Sequence, residues 1–364
     1  MRLAVAARIV VAWATVGLFL AFGKTLFEAS SAALPATALF LWLLGVIVWS
    51  AFGVVEEAEH LAHSLGEPVG TLILTLSIVL IEVALIGAVM LGAGEPTLGR
   101  DTMFAVLMIV LNGVVGVALL FGGWRYGQQT FSLMGAMAFL AVILPLTVIA
   151  LILPNYTRST EGGTLSTTQS VAFSVFTLAL YATFLALQTG RHRDFFVEAA
   201  GIDEIHGPAG VPTRRFIAIH TALLLISVLP VVILAKQLAK VLDRGIESLH
   251  APPALGGVLI ALVVFMPEGL AAFRAVSVNQ LQRTVNLCLG AAASTIGLTV
   301  PAVLMIGLAT GKPIVLGLAP SETVLLILTL ALAMLTFSGP RTTALYGAMH
   351  LVVFLVYLTL IFNP

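Results

Sequence analysis

Two glutamates stand where a carboxylate is hardest to explain without chemistry. Glu82 lies in an apolar run over 70–92 and Glu268 in another over 254–273. Each comes twelve residues after a glycine, Gly70 or Gly256 (82 − 70 and 268 − 256). At about 1.5 Å of rise per helical residue, that distance is about 18 Å, near the middle of a hydrocarbon layer about 30 Å thick. A carboxylate at that depth is costly unless it is paired, protonated or turned to a wet cavity. Two facing carboxylates make a hard, all-oxygen metal site suited to calcium or sodium. Protons compete with the metal ion for the same oxygens, and the pair is expected to titrate as one coupled unit. Such competition is the minimum apparatus for exchanging a cation against protons.

Nearby residues offer further oxygens. Pro267 has no N–H and crowds the carbonyl one turn back, so Val263 C=O loses its helical partner and becomes a candidate ligand. A plain kink is the other reading of that proline. Thr75 and Ser77 share the segment of Glu82, while Asn112, Ser294 and Thr295 lie in the segment that follows each glutamate. All five are candidate supporting groups, with helix packing or back-bonding as their alternative role.

A second polar cluster precedes the segment of Glu82. In Glu56-Glu57-Ala58-Glu59-His60-Leu61-Ala62-His63 a helix puts Glu56, His60 and His63 on one face. The cluster is a candidate cytoplasmic metal or regulatory site, and a solvated interfacial helix is its alternative. It lacks the H-E-x-x-H order of a zinc protease. His220 and His350 fall inside apolar segments and are expected to be packed, hydrogen-bonded histidines, with His350 also a candidate proton relay. Cys288 is the only cysteine, which excludes an internal disulfide.

The elements that position these residues follow from composition. Hydrophobic residues make up 60% of 364 and charged residues 9%, too few charges to cover a soluble surface. The apolar runs lack the alternation of a membrane barrel, so the expected class is an all-α polytopic membrane protein. Eleven spans are expected, near 5–27, 33–54, 70–92, 102–121, 131–153, 166–188, 216–238, 254–273, 285–307, 319–337 and 343–362. Residues 1–30 then form an extra N-terminal helix, 31–188 a first five-helix set, 189–215 a cytoplasmic linker and 216–364 a second set. Five helices per set reverse the entry side of the second, giving inverted repeats. Arg191, Arg193, Arg214 and Arg215 in the linker favour a cytoplasmic N-terminus. Zero net charge gives no reason to expect a nucleic-acid partner. Two rival classes remain open: a cation channel with a glutamate filter and an intramembrane enzyme.

The stretches 66–91 and 100–123 resemble the first α-repeat of the calcium/cation antiporter (CaCA) superfamily, and 254–304 resembles the second. The motifs are LGEP before the third span, RDT opening the fourth, PEGL at Glu268 and NQ-x-QR before the ninth. Within the Ca2+/H+ antiporter (CAX) family the resemblance is to bacterial ChaA-type calcium/sodium–proton antiporters. It implies one N-terminal helix plus two inverted five-helix repeats, alternating access driven by protons, and no enzymatic activity. It also implies Glu82 and Glu268 as the shared cation and proton site. The expected cargo is Ca2+, with Na+ or K+ as alternatives, moved against H+ across a bacterial inner membrane, with lipid as the surrounding partner and no cofactor. The repeats of the eukaryotic vacuolar branch read Gly-Asn-x-x-Glu, whereas Val79 and Phe265 stand at the asparagine positions here. Fewer side-chain oxygens argue against tight calcium selectivity.

Overall fold

A chain this apolar must satisfy its backbone polar groups internally, and it does so with helices. The computed structural model describes residues 2–29, 33–65, 69–90, 96–196, 213–249, 251–252 and 254–363. The helices are α1 (Arg2–Ala29), α2 (Ala33–Leu65), α3 (Val69–Met90), α4 (Leu98–Met108), α5 (Val115–Tyr126), α6 (Leu133–Thr147) and α7 (Thr167–Thr189). They continue as α8 (Arg214–Leu249), α9 (Ala254–Ser277), α10 (Leu281–Ser294), α11 (Val300–Thr310), α12 (Pro320–Thr336) and α13 (Ala344–Phe362). Among the described residues nine helical segments are long and apolar enough to cross a membrane, with shorter apolar helices at Leu76–Gly87 and Pro320–Thr336. Each of these eleven overlaps one of the expected spans.

Among the described residues three wide turns of π-helix interrupt the α-helical runs, at Ile109–Val114 between α4 and α5, Val148–Ile152 after α6 and Thr295–Thr299 between α10 and α11. Two-residue strands β1 (Gln129–Thr130) and β2 (Arg341–Thr342) pair antiparallel. Helix ends carry the local signals expected of them. Ser166 and Gln169 form a reciprocal capping box at the start of α7. Gly311, at φ +66°, closes α11 in the left-handed region.

The chain divides into two compact units, each drawing on both halves of the sequence. The first takes Met1–Glu95 with Ile205–Pro267, and the second Pro96–Glu204 with Glu268–Pro364. In the first, α2 packs along α8, α3 and α1. Trp13 Nε1–H donates to the Ile226 carbonyl at 3.1 Å. Near the other end of α1, Arg244 donates to the Phe27 carbonyl at 3.1 Å. Lys240 and Arg244 also lie over the Phe27 ring, at 5.6 and 5.2 Å from its centre. These contacts explain why α8 continues to Leu249, beyond the expected 238: its late basic residues are one face of a packed helix. α2 likewise continues past 54 to Leu65, so the acid/His segment is helical.

In the second unit α13 packs on α5, α11 on α7 and α10 on α6. Large apolar side chains such as Leu328, Val352 and Leu355 are exposed on α12 and α13, as a lipid-facing surface requires. The approach of α13 to α5 depends on Gly347, where a Cβ would meet the Leu120 nitrogen and the Gly116 carbonyl. Both are backbone, so neither can swing aside. Gly347→Ala is expected to cost about 1–3 kcal/mol, the usual penalty of overpacking. A fall in melting temperature of the detergent-solubilised protein checks it, with Gly17→Ala, where a Cβ has open space, as the control.

Candidate cation site

Glu82 sits in the body of α3, in the first unit, with 1% of its surface exposed. Ile81, Leu85 and Ile86 around it are buried, so its carboxylate is carried on an apolar helix held between α2 and α8. Ser77, just over one turn earlier, is buried and donates its hydroxyl to the Ile73 carbonyl at 2.7 Å. That back-bond uses the hydroxyl proton and leaves the oxygen lone pairs available. The side chain of Thr75 lies outside the described residues.

Glu268 is in the second unit, 7% exposed, directly after Pro267 in α9. The helix runs through the proline without ending, and the division between the two units falls at this peptide. Val263 is buried one turn earlier, and its carbonyl lacks the usual i+4 donor because proline has none. Beyond Glu268, Thr284 donates to the Ala272 carbonyl at 3.0 Å and ties α10 to α9.

The other sequence candidates gather at the π-helical turns. Asn112 lies within the first, Thr295 opens the third, and Ser294 precedes it, donating to the Ala291 carbonyl at 3.0 Å. Wide turns of this kind recur at functional sites because they displace backbone groups from the regular ladder. The 186-residue interval between Glu82 and Glu268 (268 − 82) also separates the starts of these two π turns (295 − 109).

Asn112 is the centre of a buried polar chain. Its amide donates to Thr329 Oγ1 at 2.8 Å, and its Oδ1 accepts from His350 Nδ1 at 3.1 Å. An amide oxygen only accepts, so Nδ1 carries the proton, and Nε2 is then free to accept from the Thr336 hydroxyl at 2.9 Å. Asn112 and His350 are each 0% exposed, so every polar atom in this chain needs the partner it has. His350 is thus the packed, hydrogen-bonded histidine expected. Thr329 and Thr336 give no signal in the sequence, because they stand far along the chain with spacing tied to nothing else.

The acid/His segment resolves into two pairs within the first unit. Glu56 is bridged to Arg8 at 2.7 Å, and Glu57 to His220 Nδ1 at 2.6 Å. The His60 ring lies 5.4 Å from that of His220, Glu59 is exposed, and the His63 side chain lies outside the described residues. Among the described residues no three His, Cys, Asp or Glu side chains gather closely enough to hold a metal ion. A further ion pair lies in the second unit, where Arg100 contacts Asp101 Oδ1 at 2.7 Å and donates to the Gly317 carbonyl at 2.9 Å.

Comparison with known proteins gives a consistent placement. The pattern of the sodium/calcium exchanger protein family matches residues 35–190 and 219–363. The sodium-potassium/proton antiporter ChaA of Escherichia coli is 40% identical over 339 residues, covering 92% of this chain and 91% of that one. A Ca2+/H+ antiporter of Aphanothece halophytica is 25% identical over 340 residues, covering 88% and 89%. The solved structure of the Ca2+/H+ antiporter protein YfkE superposes with a TM-score of 0.72 at 17% identity, over 99% of this chain and 100% of that one.

Proposed function

We propose that this chain, which belongs to the sodium/calcium exchanger protein family, is a secondary active antiporter exchanging a cation for protons, with Glu82 and Glu268 serving both in turn. The observation that carries the proposal is a carboxylate buried in the body of an apolar helix, twice over. Burying such a group is expensive, and a transported charge that arrives and leaves is what makes it worth retaining. A proton or a cation neutralises each carboxylate, and release of one admits the other.

The two-repeat plan, one N-terminal helix followed by two inverted five-helix sets at 31–188 and 216–364, belongs to the same proposal. It is supported by the shared 186-residue interval of the glutamates and the π turns. Inverted repeats supply two related packings, the usual basis of alternating access. Ser77, Ser294, Thr295, Asn112 and the Val263 carbonyl are proposed as supporting groups. The protein is placed by this reading in a bacterial inner membrane with its N-terminus cytoplasmic.

Sodium or potassium is proposed ahead of calcium. Calcium takes six to eight oxygens (about that number in most sites), and apolar Val79 and Phe265 stand where a vacuolar-type repeat carries asparagines. The 40%-identical relative, described as a sodium-potassium/proton antiporter, supports the same choice. The test is proton movement in proteoliposomes under an imposed pH gradient, with sodium, potassium and calcium added in turn. The expected result is proton movement driven by sodium or potassium more strongly than by calcium. A calcium response larger than both would reverse the cation order, and no response to any of the three would end the exchange reading.

A further inference from the structure

We propose that Glu57 and His220 form a second proton-binding site, distinct from the transport glutamates, which clasps α2 to α8 when protonated and sets the pH at which transport begins. The two residues are 163 positions apart in sequence and meet at 2.6 Å. Their side chains differ in access: that of Glu57 is 4% exposed and that of His220 20%. The imidazole borders a cleft of about 810 Å3 that is also lined by Val5, Ile9, His60, Phe216 and Leu223. Glu57 borders the same cleft, and the imidazole is the more exposed partner, so protons reach the pair through it.

Histidine is the side chain whose charge ordinarily changes between about pH 5 and 8. With the imidazole protonated, a buried carboxylate faces a cation at hydrogen-bond distance, and the contact is an ion pair. With the imidazole neutral, one hydrogen bond remains and the attraction between charges is gone. Phe216 packs 4.2 Å from the His220 ring centre and fixes its position, so the difference is felt by the helices rather than absorbed by side-chain motion.

The surrounding charges leave control with this pair. On α1 Arg8 is engaged with Glu56 of α2, which offsets both charges. Glu59 on α2 and Arg214 and Arg215 on α8 are exposed, where solvent screens them. His60 is the nearest second titratable ring, 5.4 Å from that of His220. The packed helix α3 brings no ionisable side chain except Glu82, and α9 up to Pro267 brings none.

The consequence lies in what the clasped helices do. Glu57 late in α2 meets His220 early in α8, while Ala36 and Phe40 early in α2 border the same cleft as Leu242 and Gly245 late in α8. The two helices therefore run antiparallel, and both pack against α3, which carries Glu82. Joining them fixes the frame of α3, and releasing them lets it move. Acid therefore holds the exchanger still and alkali frees it. This step rests on the antiport reading, and the test separates the two.

Full-length protein in proteoliposomes is assayed for sodium- or potassium-driven proton movement across about pH 5–9, which includes the range of histidine titration. Glu57→Gln and His220→Gln are expected to move the acid limb of the profile down by about one pH unit or flatten it, with alkaline rates retained. The exchanged pair, Glu57→His with His220→Glu, is expected to restore the wild-type profile. A second readout needs no transport: melting temperature of the wild type falls as pH rises through the same range, and the single variants lose that slope. Profiles and slopes of the single variants that match the wild type overturn the clasp, as does a uniform loss of rate at every pH that the exchanged pair does not repair. A wild type that moves no ions defeats the antiport reading alone, and the melting slopes then decide the clasp.

Discussion

Glu82→Gln and Glu268→Gln are each expected to reduce cation-driven proton movement to the level of empty vesicles. Glutamine keeps the shape and the hydrogen-bonding capacity of the side chain while removing its negative charge and its protonation. A unit charge about 4 Å from a cation is worth on the order of 4 kcal/mol at the effective dielectric of a protein. Losing it weakens cation binding roughly a thousandfold, since each 1.4 kcal/mol is about a factor of ten. The burial of both side chains makes rescue by solvent ineffective. Aspartate at either position keeps the charge but withdraws it by one methylene, so Glu82→Asp and Glu268→Asp retain measurable exchange with a raised KM. Equal, full activity of both Gln variants would show that the carboxylates are structural.

The second large effect falls on Asn112. Asn112→Leu keeps similar volume but removes the acceptor of His350 Nδ1–H and the donor to Thr329 Oγ1. Each buried polar group left without a partner costs about 1–3 kcal/mol, so with two of them the variant loses roughly 2–6 kcal/mol in all. The chain links the π turn at Ile109–Val114 to α12 and α13, and its loss is felt at that turn. A double-mutant cycle with Thr329→Val separates the hydrogen bond from the general penalty. The expected coupling is about 1 kcal/mol by thermal unfolding, with transport falling in step. Unchanged melting and transport in Asn112→Leu would remove the polar chain from any functional role.

Much of this was legible in the sequence, for a physical reason. Membrane-spanning helices are long, apolar and bounded by polar turns, so the spans at 166–188, 254–273 and 343–362 lie within a few residues of α7, α9 and α13. Where a helix outruns the membrane, composition misleads. Lys240 and Arg244 fall beyond the expected span at 216–238, yet they belong to α8 and lie over the Phe27 ring. The Glu56–His63 segment reads as an isolated metal-type cluster because a sequence displays only near neighbours. Its partners, Arg8 and His220, come from other helices. The π turns were equally hidden, since the residues of Ile109–Val114 are as apolar as an ordinary α-helical turn, apart from Asn112. The division into units that cross the two halves follows from packing alone.

The most direct measurement loads proteoliposomes with sodium or potassium at equal internal and external pH, then dilutes them into cation-free medium. With no pH gradient imposed, an exchanger turns cation efflux into proton uptake, and the internal pH falls at a rate that saturates with internal cation. That acidification, held at zero net membrane potential and absent in the Glu82→Gln, Glu268→Gln double variant, is the expected result. Cation leaving with no proton entering, at a rate that rises without saturation, would contradict exchange and identify a conducting pore instead.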